Sequence, residues 1–223
     1  MKLGVITYDK YHLKSEKIIN GLIKKKHRII IILTKFKKYK KKQKSLINHR
    51  PKQFLNKSLK KIFKDKNLEF RYLTNKKVFE GLDLVLIGGA GIIEKKYIKK
   101  NFILNCHSGL IPQSRGLDSI KWAIFNQLKV GNSLHFIDEN VDKGKIIAHK
   151  ITDVKKYDSM NNFFKRHYNN EINMIINFEK YFKRKEIINL NNRAVNFRMP
   201  RKLEKLLKYK FILFKNKFVN ANV

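Results

Sequence analysis

A chain of 223 residues with 43% hydrophobic residues has the length of one domain and enough apolar material for a packed core, which excludes disorder by composition. Its single cysteine, Cys106, excludes a disulfide framework within the chain and fits a reducing compartment. The net charge of +35 is compatible with an anionic partner such as nucleic acid, a membrane surface or a phosphorylated substrate. The lysines run the whole length, however, and Lys, Asn, Ile and Phe are in excess together, as an AT-rich genome would impose; drift is the simpler account.

The N-terminus, "MKLGVITYDKYHLKS", has a short apolar run followed by charges, so it does not read as a signal peptide. No apolar stretch approaches the roughly 20 residues of a membrane span, and the expected location is cytoplasmic. In chain order, "KLGVIT" (2–7) predicts a first strand, and "LKSEKIINGLIKK" (13–25) a helix with Ile18, Ile19, Leu22 and Ile23 on one face. "RIIIILT" (28–34) is β-branched and nearly continuous, the pattern of a strand buried on both faces in a parallel sheet. Residues 35–52 are expected to be an exposed basic loop, a solvated linker rather than a phosphate-binding loop. A helix is predicted over 53–65 and strands over 68–73, 83–93 (running into a glycine turn) and 101–107. A helix over 117–128, strands over 132–138 and 144–152, and a long Asn-rich helix over 158–183 follow.

Alternating strands and helices, then two strands and a long helix, predict an α/β domain with a mainly parallel sheet and helices on both faces. The main domain is expected to span 1–185, with 186–223 a short tail that packs on it or at a homodimer interface. The tail segment "YKFILFKNKFV" mixes Lys with Phe, Ile and Leu; it could touch an anionic membrane, though packing as a terminal element is the commoner fate.

Ligands of such sheets bind at the carboxyl ends of strands, and three of those ends hold chemistry: "GGAG" (88–91), "NCH" (105–107) and "DENVDKG" (138–144). The glycine turn lacks the spacing of a dinucleotide fingerprint, and no clustered metal ligands appear, so no metal is expected. Asn105 and His107 alternate along a strand and can share a face. With a carboxylate such as Asp142 they make a workable acyl-transfer set. An amide can donate to a developing oxyanion, an imidazole can donate and move protons, and a carboxylate can hold the imidazolium. On spacing alone, a His beside a turn is more often structural.

"LNCHSGLIPQSRGLDSIKWAI" followed by "SLHFIDENVDKGKIIAHK" resembles the catalytic core of the folate-dependent formyltransferases, with "DLVLIGGAGII" similar to the strand and folate-binding loop before it. The resemblance covers residues 83–150, and its two joined motifs stand in the right order. It implies the Rossmann-like formyltransferase fold and 10-formyltetrahydrofolate as formyl donor. It also implies catalytic roles for Asn105, His107 and Asp142: the first two steady the oxyanion, and Asp142 keeps His107 charged and assists proton removal. The donor's pterin is then expected against Gly88, Gly89, Ala90, Gly91 and Ile92 of the glycine turn and near Asp138. Two departures are Ser108, where the family has proline after the His, and "GNSLH", where it has a Gly-Val or Gly-Thr pair.

Three branches of that family compete for the acceptor. The purine-pathway branch, acting on glycinamide ribonucleotide, carries a glycine-rich phosphate loop where this chain has "TYDKYHLKSEK". The initiator-tRNA branch carries a further C-terminal domain. The third, acting on amino sugar nucleotides, is closest in wording and is the expected one, with an anionic small-molecule amine as partner. Hydrolysis of the formyl donor, and a basic nucleic-acid-binding protein on the same fold, are the remaining alternatives.

Overall fold

The computed structural model describes residues 1–36, 44–98, 102–138, 145–182 and 195–219. In chain order these form β1 (Lys2–Tyr8), α1 (Leu13–Lys24), β2 (Arg28–Thr34), α2 (Leu59–Ile62), β3 (Glu69–Tyr72), β4 (Leu84–Ile87) and β5 (Ile103–His107). They continue with α3 (Ser119–Phe125), β6 (Gly131–Phe136), β7 (Ile146–Ile151), α4 (Met160–Ile176), α5 (Glu179–Phe182) and α6 (Arg201–Val219).

The seven strands make one sheet in the order β3-β2-β1-β4-β5-β6-β7. Every pairing from β3 to β5 is parallel, and β6 and β7 are added antiparallel. The strand order reverses direction at β1, which puts a crevice at the carboxyl ends of β1 and β4.

The period-2 geometry of strands explains why the central ones are apolar throughout. On β2, Ile29, Ile31 and Leu33 join a core with α1 and α4, while Ile30 and Ile32 join a second core on the opposite face. That second face is covered by the 3₁₀ turn Lys76–Phe79 and by Phe102, whose ring meets Phe79 edge-on. A third apolar cluster joins α3, the first half of α4, and α6.

Two local expectations change, and the tail gains a helix. Of the helix expected over 53–65, only α2 and the 3₁₀ turn Lys64–Lys66 form. Tertiary bonds hold its first residues out of helical register: the Gln53 carbonyl accepts from Leu13 N, and the Gln53 side-chain oxygen accepts from Lys14 N and the Tyr168 hydroxyl. The described part of the basic loop, 44–52, is tied down rather than merely solvated. Ser45 and Leu46 N bond Glu204, and Arg50 reaches Glu171. The tail contains a helix of 19 residues, α6.

Helix α1, helix α4 and the 44–54 segment meet on one buried carboxylate. Glu171 accepts from Lys14 Nζ at 2.6 Å and from Arg50 at 2.8 and 3.0 Å, and it is 1% exposed. Burial alone would raise its pKa, but Arg50 and Lys14 outweigh burial and lower it to about 2. A carboxyl depressed in the folded state contributes stability above its unfolded pKa and loses it as pH falls toward the folded value. Its contribution is therefore complete above about pH 4.5 and disappears toward pH 2. Replacing Glu171 by Gln leaves Lys14 buried without its counter-charge, with an expected cost of about 3–5 kcal/mol in urea unfolding at neutral pH. The gap between wild type and Glu171→Gln should close as the pH is lowered through that window.

Candidate active site

Strand β5 divides its residues between two environments. Leu104 and Cys106 enter the core beneath α4, and burial there pushes the Cys106 thiol pKa up, so it behaves as a packing residue. Ile103, Asn105 and His107 alternate onto the other face, apolar at the start and polar at the carboxyl end. Antiparallel β6 lays His135 opposite Asn105 and Ser133 opposite His107. The β6–β7 pairing shifts register between Leu134 and His135, a bulge of the kind that re-aims side chains beside active sites.

Each of the two site side chains is held by specific partners. His135 Nδ1 lies 3.0 Å from the Phe136 carbonyl and must donate to it. Its Nε2 therefore accepts, at 3.3 Å, from the Asn105 amide nitrogen. That bond decides which way the Asn105 amide points and leaves its second N–H to serve the site. His107 Nε2 donates to the Ser114 carbonyl at 2.9 Å, with Ser119 Oγ at 3.0 Å. Ser119 spends its own proton on the Gly116 carbonyl, so toward His107 it can only accept. Nε2 is thereby committed to the loop.

The loop that receives His107 is built by close approach. Ser133 Oγ donates to the Gly109 carbonyl and accepts from Ile111 N, which pins the turn after β5 to β6. A Cβ on Gly109 would stand 2.2 Å from the Ser114 carbonyl oxygen and 2.9 Å from His107 Nε2, so only glycine lets the loop close. Ser108 anchors the same turn to α4, its hydroxyl 2.9 Å from His167 Nε2. Burial lowers the His167 pKa to about 4, so that imidazole is neutral at pH 7 and bonds Thr152 through Nδ1.

The segment 195–199 completes the loop from outside. Asn196 bridges to Gly116 as a parallel strand would, bonding Arg115 O and Leu117 N, and Met199 N donates to Asp118. Gly116 (φ 84°) and Asp118 (φ 51°) take left-handed backbone there. Buried Lys121 of α3 pairs with Glu204 of α6 below them.

The predicted donor-binding residues divide as well. Gly88 and Gly89 are buried against α1, where a Cβ on Gly89 would collide with the His12 ring. Gly91 faces open space and Ile92 is 85% exposed. Ala90, Ile93 and Ile137 pack on the same apolar cluster as Ile103, so the turn after β4 and the end of β6 flank the face carrying Asn105 and His107. Asp138 ends that stretch, half-buried. Asp142 lies outside the described residues. Among the described residues no group of three or more His, Cys, Asp or Glu could hold a metal.

Sequence reasoning missed the partners that orient the site. His135 was visible in "HFID" but looked like one of many histidines, and Ser114 and Ser119 carry no signal until the loop closes. Burial also lowers the pKa of His12, to about 3, and Tyr8, His12, Phe36 and Phe54 form a ring cluster at the ends of β1 and β2.

A family model described as formyl transferase matches residues 1–178. The chain is 32% identical over 142 residues to methionyl-tRNA formyltransferase of Fusobacterium nucleatum, covering 61% of this chain and 46% of that protein. The chain spans less than half the length of the curated relatives it matches. In fold it is similar to phosphoribosylglycinamide formyltransferase from Anaplasma phagocytophilum, with TM-score 0.59 at 17% identity over 81% of this chain and 85% of that one. It is also similar to a formyltransferase from Anoxybacillus kamchatkensis in complex with UDP-4,6-dideoxy-4-formamido-L-AltNAc and tetrahydrofolate. There the TM-score is 0.56 at 14% identity, over 98% of this chain and 94% of that one.

Gly109→Ala should cost about 1–3 kcal/mol in urea unfolding through overpacking against the Ser114 carbonyl. Gly91→Ala, with nothing within 4 Å of the added Cβ, should leave the urea midpoint nearly unchanged.

Proposed function

Because this chain belongs to the formyl transferase family, we propose that it moves a formyl group from 10-formyltetrahydrofolate to a primary amine on a small anionic acceptor, by preference an amino sugar nucleotide. The observation that carries the reading is the pair Asn105 and His107, side by side on one face at the carboxyl end of β5. That face is flanked by the open turn at Gly91.

The residues present fit the donor. Gly91 leaves bare backbone where a side chain would stand, and Ala90, Ile93 and Ile137 offer apolar surface to a flat ring. When bound, the donor supplies the formyl carbon. The chain would supply the electrostatics: negative charge would develop on the formyl oxygen as an amine nitrogen bonds to that carbon, and would be relieved when the carbon's bond to the folate nitrogen breaks and tetrahydrofolate leaves. The second N–H of Asn105 and the imidazole of His107 are the donors assigned to it. Preorganisation is their contribution, since His135 holds one and Ser114 and Ser119 hold the other. Asp142 is assigned, from its sequence motif, to hold the imidazolium and take up the proton lost by the amine.

Two features support the acceptor class. Where a glycine-rich phosphate loop would follow β1, this chain packs the aromatic cluster of Tyr8, His12, Phe36 and Phe54, with Phe54 partly exposed. Such a ring edge suits a nucleobase better than a bare phosphate. The positive charge of the chain suits the diphosphate.

The test is donor turnover. The protein is mixed with 10-formyltetrahydrofolate and, in turn, amino sugar nucleotides, glycinamide ribonucleotide or no amine, and tetrahydrofolate release is followed. Release with an amino sugar nucleotide alone is expected. Release without any amine would make the protein a hydrolase, and no release with any of them would remove the formyl-transfer reading. Asn105→Ala and His107→Ala should each lower kcat on the order of 10²–10³-fold while donor binding persists.

A further inference from the structure

The outward face of α6 has the composition of a membrane-surface helix, and we propose that it docks the protein on an anionic lipid bilayer. Glu204, Leu207, Phe211 and Phe214 bury one side of the helix against α3 and α4. On the opposite side Leu206, Tyr209, Ile212 and Leu213 are 49%, 61%, 53% and 38% exposed. At about 100° per residue these four fall on one continuous stripe. Exposed Lys202 and Lys205 stand within the stripe and Lys208 along one border. Lys210 and Lys217 line the other border, where Lys210 lies over the Phe125 ring and Lys217 donates to Gln127 O.

The charge pattern chooses the occupant. α6 carries seven basic residues and one acidic one, and that one, Glu204, is buried in its pair with Lys121. The outward face is thus purely cationic and cannot neutralise itself. A second copy seated on it would bring lysines against lysines. A nucleic acid would use the lysines but gain little from a stripe of Leu, Ile and Leu between them. An anionic bilayer uses both: the phosphates meet the lysine heads, the lysine stems lie along the acyl boundary, and the stripe enters it. No helix of the described residues is long and apolar enough to cross a membrane, so the contact is a surface one.

The experiment is sedimentation of the full chain with vesicles of phosphatidylglycerol and phosphatidylcholine, and with phosphatidylcholine alone as control. Binding to the anionic vesicles only, weakening as salt is raised, is expected. Lys202→Gln/Lys205→Gln/Lys208→Gln should lower partitioning roughly a hundredfold. Tyr209→Ser/Ile212→Ser should lower it roughly tenfold or more with unchanged circular dichroism, since both side chains point away from the core. Equal binding by wild type and the Tyr209/Ile212 variant would reduce the effect to general charge attraction and overturn the proposal. So would no binding at all. Self-association on ultracentrifugation, or RNA retardation, that depends on Tyr209 and Ile212 without vesicle binding would assign the face to a second copy or to nucleic acid instead.

Discussion

Glu171 is the residue on which the arrangement rests. A fully buried carboxylate is unfavourable by itself, and its presence obliges two cations from distant parts of the chain to converge on it. Lys14 fixes the start of α1, and Arg50 draws in the segment whose Gln53 bonds Lys14 N and Tyr168 and whose Phe54 completes the ring cluster above β1. The same helix, one turn earlier, presents His167 to Ser108. Helix α4 therefore reaches both borders of the crevice, the aromatic one through Glu171 and the turn after β5 through His167.

The strands were the most legible part of the sequence, because burial on both faces writes an unbroken apolar run, as in Ile29 to Leu33. The alternation of Asn105 and His107 on one face was legible for the same reason: strand period is a local property. The short α2 was not, because Gln53 is held by Leu13, Lys14 and Tyr168, none of which is near it in sequence. The orientation of the site was hidden for the same reason. Nothing local to His107 announces that Ser114 and Ser119 fold back onto its Nε2, and nothing in "SRGLDS" reveals that Asn196 pairs beside it. α6 escaped because its apolar residues lie on two opposite faces, which blurs the single stripe that marks a globular helix.

The departure at Ser108 illustrates how a site can exchange one restraint for another. A proline stiffens a turn through its own ring. Here the turn is stiffened by a hydroxyl bonded to a neutral, buried histidine, and by Ser133 on the neighbouring strand. The restraint has moved from the backbone of the turn to the helix packed beneath it. Turn and helix are therefore coupled, and a change in the packing of α4 reaches His107 through a single residue.

The pairing of Asn196 with Gly116, and of Met199 with Asp118, has a temporal side. Partners 81 residues apart must both exist before the loop around His107 can take its final form. At roughly 5–20 residues per second, the ribosome needs on the order of 4–16 s to make the second after the first. Within that interval β6 and β7 follow β5 into the sheet while the loop still lacks its outer support. The chain thus acquires its sheet before the loop around His107 can be finished.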